Sequence, residues 1–90
     1  MVHYVGVFIP MAAGGWKALF PDFPYCEVQE PSLDLAIFRA ATALALIKQS
    51  NGSPIPAPRD LAEIKADVGW HSASEIDWQT CVVTMIPMRG

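Results

Sequence analysis

Charged side chains are scarce in this sequence, and the basic ones are scattered along it. Only 17% of the 90 residues are charged, and the six lysines and arginines form no cluster. A protein that follows a nucleic-acid backbone needs a basic patch to neutralise phosphates. With a formal net charge of −3, this chain is therefore expected to bind no nucleic acid directly.

Cysteine is also scarce, and no long uncharged apolar run occurs. Cys26 and Cys81 are far apart in sequence, which favours reduced, buried thiols over a disulfide or a metal pair. The most apolar segment, Leu33 to Ile47, contains Asp34 and Arg39 and is too short for a membrane span. The N-terminus has no basic stretch of the kind that opens a signal peptide. We therefore expect a cytoplasmic protein that does not enter a membrane.

Apolar residues, by contrast, make up 52% of the chain. A small domain buries a smaller fraction of its surface than a large one, so part of this apolar surface should stay exposed. Large exposed apolar patches usually mark binding surfaces. The composition predicts a single domain, residues 1–90, that binds a protein partner or a second copy of itself.

The hydrophobic pattern predicts an α+β fold, with a small antiparallel sheet of three to four strands, one long helix packed on one face and a short second helix. The predicted strands are Val2 to Pro10, Trp16 to Phe20, Glu27 to Gln29 and Ile76 to Met88. The predicted helices are Leu33 to Gln49, capped by Ser32 and ended by Asn51-Gly52, and Arg59 to Asp67. Between them, Ser53 to Pro58 reads as an extended linker and Gly69 to Glu75 as a loop. Apolar side chains on both faces of the first strand indicate a central place in the sheet.

The long helix carries more apolar residues than one buried stripe needs. The stripe at helical spacing comprises Leu33, Ile37, Ala40, Ala41, Leu44 and Ile47. Phe38 and Leu46 lie off this stripe, which makes them candidates for contact with a partner. Trp16, just after the glycine turn Gly14-Gly15, is either a partner anchor of the kind found at interface hot spots or a core residue.

A proline-rich turn joins the hairpin to the long helix. It reads Phe20-Pro21-Asp22-Phe23-Pro24-Tyr25-Cys26. Two prolines each fix φ and each remove a backbone donor, and aromatic rings flank both of them. The pattern predicts a packed turn rather than a mobile one.

These residues, in this order and spacing, resemble a known family. The matching residues are Tyr4, Gly14, Gly15, Trp16, Phe20-Pro21-Asp22-Phe23-Pro24, Cys26, Gln29, Leu33, Ala36, Ala40 and Ile55-Pro56-Ala57-Pro58. The chain resembles the HicB antitoxin family over nearly its whole length. Two positions depart from that family's pattern: Tyr25 stands where glycine is usual, and Glu30-Pro31 where Gly-Asp is usual. Because Tyr25 cannot cheaply adopt a positive φ, its turn should differ locally.

The resemblance implies a partial ribonuclease-H-like fold and a partner, a HicA-like toxin that cleaves messenger RNA. The antitoxin would neutralise this toxin by steric blocking of its active site. The family's C-terminal DNA-binding module has no counterpart after the last predicted strand, so DNA binding is not carried over. Exposed sheet edges also suggest a homodimer or tetramer. The candidate partner-binding residues are Trp16, Phe23, Tyr25, Phe38 and Leu46.

Two alternatives remain open, a relative with metal-dependent nuclease activity and a small-ligand-binding oligomer that uses an aromatic sheet face. Ribonuclease H chemistry needs several carboxylates around divalent metal ions, and the first predicted hairpin has none in mid-strand. Asp22 is the best single candidate, although a turn aspartate more often binds nearby backbone amides. We therefore expect no catalytic residue, no metal site and no cofactor.

Overall fold

The computed structural model describes residues 2–49 and 55–88, which form four strands and three helices. In chain order the elements are β1 (Val2–Pro10), β2 (Trp16–Leu19), β3 (Glu27–Glu30), α1 (Leu33–Gln49), α2 (Leu61–Ala66), α3 (Val68–Ala73) and β4 (Val82–Met88). The strands form one antiparallel sheet in the order β3-β2-β1-β4. The predicted α+β architecture and the central position of the first strand are confirmed.

The first hairpin is closed by its two glycines. Gly14 and Gly15 have φ values of 99° and 87°, a region that glycine enters at no steric cost. A Cβ atom on Gly15 would lie 2.9 Å from the carbonyl oxygen of Glu30. The turn therefore needs glycine at position 15 for its conformation and for the close approach of β3.

The proline-rich turn is packed, as predicted. The amide of Phe23 donates to the carbonyl of Phe20 at 3.0 Å, and the amide of Cys26 donates to the carbonyl of Phe23 at 2.8 Å. Among the residues that the structure describes, Glu75 is the one non-glycine residue with a positive φ. Tyr25 thus completes this turn without the left-handed conformation that a glycine could adopt.

Helix α1 begins where its capping residue predicts. The hydroxyl of Ser32 accepts a hydrogen bond from the amide of Leu35 at 3.2 Å, which satisfies one of the free amides of the first turn. The residues of the predicted stripe all pack into one core, together with Ala36. The predicted helix end at Asn51-Gly52 lies outside the described residues.

Two hydrophobic cores lie on opposite faces of the sheet. Between α1 and the sheet, the buried residues are Tyr4, Phe8, Ala18, Phe20, Phe23, Ala36, Ala40, Leu44, Ile86 and Met88; we call this the α1 core. On the other face, Val5, Val7 and Ile64 are buried beneath a partly exposed shell that includes Trp70 and Trp78. The sheet is therefore covered on both faces, which is why β1 is apolar on both.

The predicted loop from Gly69 to Glu75 is wrong, because most of it forms helix α3. The carboxylate of Asp67 accepts a hydrogen bond from the amide of Trp70 at 3.1 Å and so caps this helix. Trp70 in turn packs on the second core. A cap and one anchored aromatic ring override the poor helix propensity of Gly69.

Two other elements are shorter than predicted. The second predicted helix forms as α2, and Asp60 and Glu63 close a capping box at its start. The last strand begins at Val82 rather than Ile76, because the carbonyl of Asp77 accepts the amides of Thr80 and Cys81 at 3.2 and 3.1 Å. This turn leaves Trp78 outside the sheet.

The linker is extended over the part that is described, residues 55–58. The hydroxyl of Tyr4 donates to the carbonyl of Pro56 at 2.6 Å, which fastens the linker to the central strand. No helix within residues 2–49 and 55–88 is both long and apolar enough to cross a membrane.

Candidate functional site

Helix α1 carries large apolar side chains on the side that faces away from its core. Ala36, Ala40 and Leu44 are fully buried against the sheet. On the opposite side, Phe38 and Leu46 are 63% and 60% exposed, and Leu35 is also exposed. We call Leu35, Phe38 and Leu46 the outer face of α1. This face is the main concentration of exposed large apolar side chains in the part of the chain that the structure describes.

The two flanks of the outer face differ in chemistry. Towards β3, Arg39 forms an ion pair with Glu30 at 3.6 Å. Towards β4, a groove of about 320 Å³ separates the helix from the edge of the sheet. Its lining is Phe38, Ala41, Thr42, Ala45 and Pro87; we call it the α1–β4 groove. One flank is thus charged, and the other is lined by uncharged side chains.

Phe23 is a core residue and not part of the exposed surface. Its ring is 1% exposed and makes edge-on contacts with Tyr4 and Phe20, at centroid distances of 4.8 and 6.5 Å. An aromatic residue placed between two prolines in a packed turn is buried by the same packing that holds the turn. We therefore leave Phe23 out of the candidate surface.

Tyr25 and Trp16 lie at opposite ends of the β2–β3 pair. Tyr25 is 73% exposed, and its ring lies 6.4 Å from that of Phe23, so a buried ring supports an exposed one. Trp16 is half-buried, pairs with Glu30 across the strands, and packs on the α1 core. Of the five predicted partner-binding residues, Tyr25, Phe38 and Leu46 are exposed in the structure.

Asp22 takes part in a partly buried ion pair with Arg59. The Asp22 side chain is 4% exposed. One of its oxygens accepts from Nε of Arg59 at 2.7 Å and the other from the Arg59 amide at 3.1 Å. Both oxygens of this carboxylate are therefore engaged in joining the proline-rich turn to the linker.

The remaining donors of Arg59 complete this link. Nη1 donates to Asp67 at 3.1 Å and Nη2 to the carbonyl of Pro21 at 3.0 Å. These hydrogen bonds, first to Asp22 and then to Asp67, raise the pKa of the Arg59 guanidinium. We call Asp22, Arg59 and Asp67 the Arg59 link. The sequence did not predict that Arg59 and Asp67 belong to this link. Arg59 lies 37 positions after Asp22, and no local pattern connects them.

Three other groups beside the cores have raised pKa values, which favours their neutral forms. Burial, and then the charge of Asp22, raises the pKa of the Tyr4 hydroxyl. Burial likewise raises the pKa of the Cys26 and Cys81 thiols, and both cysteines are free. Within residues 2–49 and 55–88, no group of three or more His, Cys, Asp or Glu residues is arranged to hold a metal ion.

The geometry thus offers two features, an exposed apolar face with an adjoining groove, and a partly buried ionic link that fastens the proline-rich turn to the linker. The first can bind another macromolecule, and the second is a structural element. In comparisons with known proteins, no family model matches the chain, and no curated protein matches it.

Proposed function

We propose that this chain is a protein-binding module of the HicB antitoxin type. It would neutralise a HicA-like, mRNA-cleaving toxin by steric blocking, itself being a homodimer or tetramer. The observation that carries the proposal is the outer face of α1, where Leu35, Phe38 and Leu46 are exposed although the opposite side of the helix already completes a core. Exposed Tyr25 would add a contact in the same interaction.

The outer face can supply useful binding free energy. Complete burial of a Leu or Phe side chain contributes roughly 1.5–3 kcal/mol. Scaled by the exposed fractions of its three members, burying the outer face would contribute about 2.5–5 kcal/mol. A binding free energy of this size is typical of a few central anchor residues surrounded by weaker contacts.

The charge of the chain favours a basic partner. The net charge is −3, and the exposed acid Asp34 in the first turn of α1 is the chain neighbour of Leu35 in the outer face. A ribonuclease that binds RNA carries a basic surface, so association would be steered electrostatically and slowed by salt. The cytoplasm is the compartment in which such a pair would act on messenger RNA.

Neither alternative function has a specific observation in its favour. A metal-dependent nuclease built on Asp22 would first have to release both of its oxygens from Arg59. For a small-ligand site on the aromatic sheet face, Phe8 and Phe20 are covered by α1. We therefore propose a non-enzymatic role.

The test is inhibition of a HicA-like ribonuclease, taken from the reading frame next to this one, in an mRNA-cleavage assay. The wild-type chain should inhibit cleavage, and Leu46→Asp should weaken inhibition at least tenfold. Val68→Asp is the matched control, because Val68 is 62% exposed on α3, away from this face, and it should inhibit like the wild type. Equal inhibition by the two variants, or none by the wild type, would refute the proposal.

A further inference from the structure

The two edges of the sheet differ in their protection against another strand. Edge strands are usually protected by charges, by short length or by proline. β3 has four residues, and two of them, Glu27 and Glu30, are acidic. β4 has seven residues and no ionisable side chain, and its proline, Pro87, stands next to its end. The β4 edge is thus open to pairing over residues 82–86.

The α1–β4 groove extends this uncharged surface from the sheet to the helix layer. Pro87 borders the groove from the strand side, and Ala41 and Ala45 border it from the helix side. Small alanine side chains allow another helix to approach closely. Met85, half-exposed on β4, adds apolar surface. We call the β4 edge together with the groove the β4 flank.

We infer that a second copy of this chain occupies the β4 flank, forming a twofold dimer with a continuous eight-stranded sheet. This inference rests on the self-association included in the proposed function and names the surface used. The argument is electrostatic: two copies of charge −3 repel each other, and the β4 flank is where they can meet without opposing like charges.

The position of Pro87 selects the register of the pairing. A proline has no amide to donate to a ladder, so the paired segment should stop at Ile86. A twofold axis at Thr84 achieves this, because it pairs Thr84 with its own copy and Val82 of one copy with Ile86 of the other. Val82 and Ile86 both contact the α1 core, so the two cores would join across the axis.

A stable dimer requires that each copy bury a sizeable area. A standard interface takes roughly 800 Å² from each partner, about a seventh of the 5407 Å² surface of the chain. The β4 flank offers a seven-residue strand edge and the groove beside it for this purpose. Leu35 and Leu46, the other two members of the outer face, lie off the groove lining and stay available to a toxin.

The experiment is disulfide trapping at the proposed axis. In a Cys26→Ala/Cys81→Ala background, Thr84→Cys should cross-link two copies on mild oxidation. Opposed residues of an antiparallel pair have Cα atoms about 4.5–5.5 Å apart, within the range that a disulfide spans. Gln29→Cys on β3, an edge position that is more exposed than Thr84, is the control and should not cross-link.

Light scattering of the unmodified chain supplies the second measurement. We expect a concentration-dependent species of twice 9.8 kDa, with a dimer dissociation constant that Met85→Lys raises at least tenfold. Absence of Thr84→Cys cross-linking in a folded protein, equal cross-linking through Gln29→Cys, or a monomer at every concentration would each overturn the inference. Met85→Lys should still inhibit the ribonuclease, and Leu46→Asp should still dimerise, so this inference and the proposed function can fail separately.

Discussion

The Arg59 link makes a quantitative prediction about stability. Arg59→Met removes the counter-charge of a carboxylate that is 4% exposed. Breaking a buried ion pair from one side costs about 3–5 kcal/mol. Because the Arg59 side chain is itself 31% exposed, solvent screens part of this loss, and we expect a decrease of about 2–4 kcal/mol in the free energy of unfolding.

Asp22→Asn should cost less, because it leaves no buried charge behind. The asparagine side chain keeps one carbonyl acceptor, and the guanidinium keeps its hydrogen bond to Asp67. Loss of one charge-assisted hydrogen bond costs about 1.5–3 kcal/mol, and a retained acceptor lowers this to about 1–2 kcal/mol. The predicted order of stability is therefore wild type, Asp22→Asn, Arg59→Met.

Urea denaturation followed by tryptophan fluorescence measures these differences. With a slope of about 1.5 kcal/mol per molar urea, Arg59→Met should lower the midpoint by about 1–3 M. The double variant Asp22→Asn/Arg59→Met has no carboxylate charge at position 22. Its loss in free energy of unfolding should therefore be smaller than the sum of the two single losses by at least about 1 kcal/mol. A midpoint shift below about 0.5 M for Arg59→Met, or strictly additive costs, would refute the view that this ion pair fastens the turn to the linker.

Three further predictions concern the cores and the hairpin. Leu44→Ala should destabilise the fold by about 2–5 kcal/mol, whereas Leu46→Ala should change stability by less than about 0.5 kcal/mol; equal effects in thermal unfolding would contradict the two-sided description of α1. Gly15→Ala should cost at least about 1–2 kcal/mol and more than Gly14→Ala, because a Cβ atom at Gly14 meets nothing within 4 Å; similar denaturation midpoints would count against the close approach of β3. The raised pKa of Tyr4 means that the unfolded chain ionises first, so stability should fall as pH rises above about 10, the ordinary value for tyrosine. Tyr4→Phe should flatten that alkaline decline in pH-dependent unfolding, and an unchanged decline would exclude Tyr4 as its source.

Local patterns predicted most of the elements. A high content of Val, Ile, Tyr and Phe indicated β1. The capping hydroxyl of Ser32 and the stripe from Leu33 indicated α1, because a cap and a helical period act within a few residues of each other. The errors occurred where tertiary contacts outweighed local preference. Helix α3 forms because Asp67 caps it and Trp70 packs on the second core, although Gly69 and the serines near it suggest a loop.

Part of the candidate site could be predicted from local patterns, and part of it depends on tertiary contacts. Phe38 and Leu46 could be placed on the solvent side because their angular position on the helix follows from sequence spacing. Phe23 could not be placed, since a turn has no period from which to read the direction of a side chain. The α1–β4 groove also left no sequence signal, because Ala45 and Pro87 meet only once the helix lies along β4.

The sequence by itself determined the α+β class, the buried stripe of α1 and the surplus of apolar residues, because each depends on composition or on periods within one element. Tertiary structure alone decided which strand forms the uncharged edge, and that Asp22 is paired with Arg59. Both features depend on contacts between residues far apart in the chain. The free energy that stabilises these contacts comes from packing over the whole domain. The surplus of apolar residues and the outward position of Phe38 and Leu46 thus came from the sequence, and the groove between α1 and β4 came from the fold.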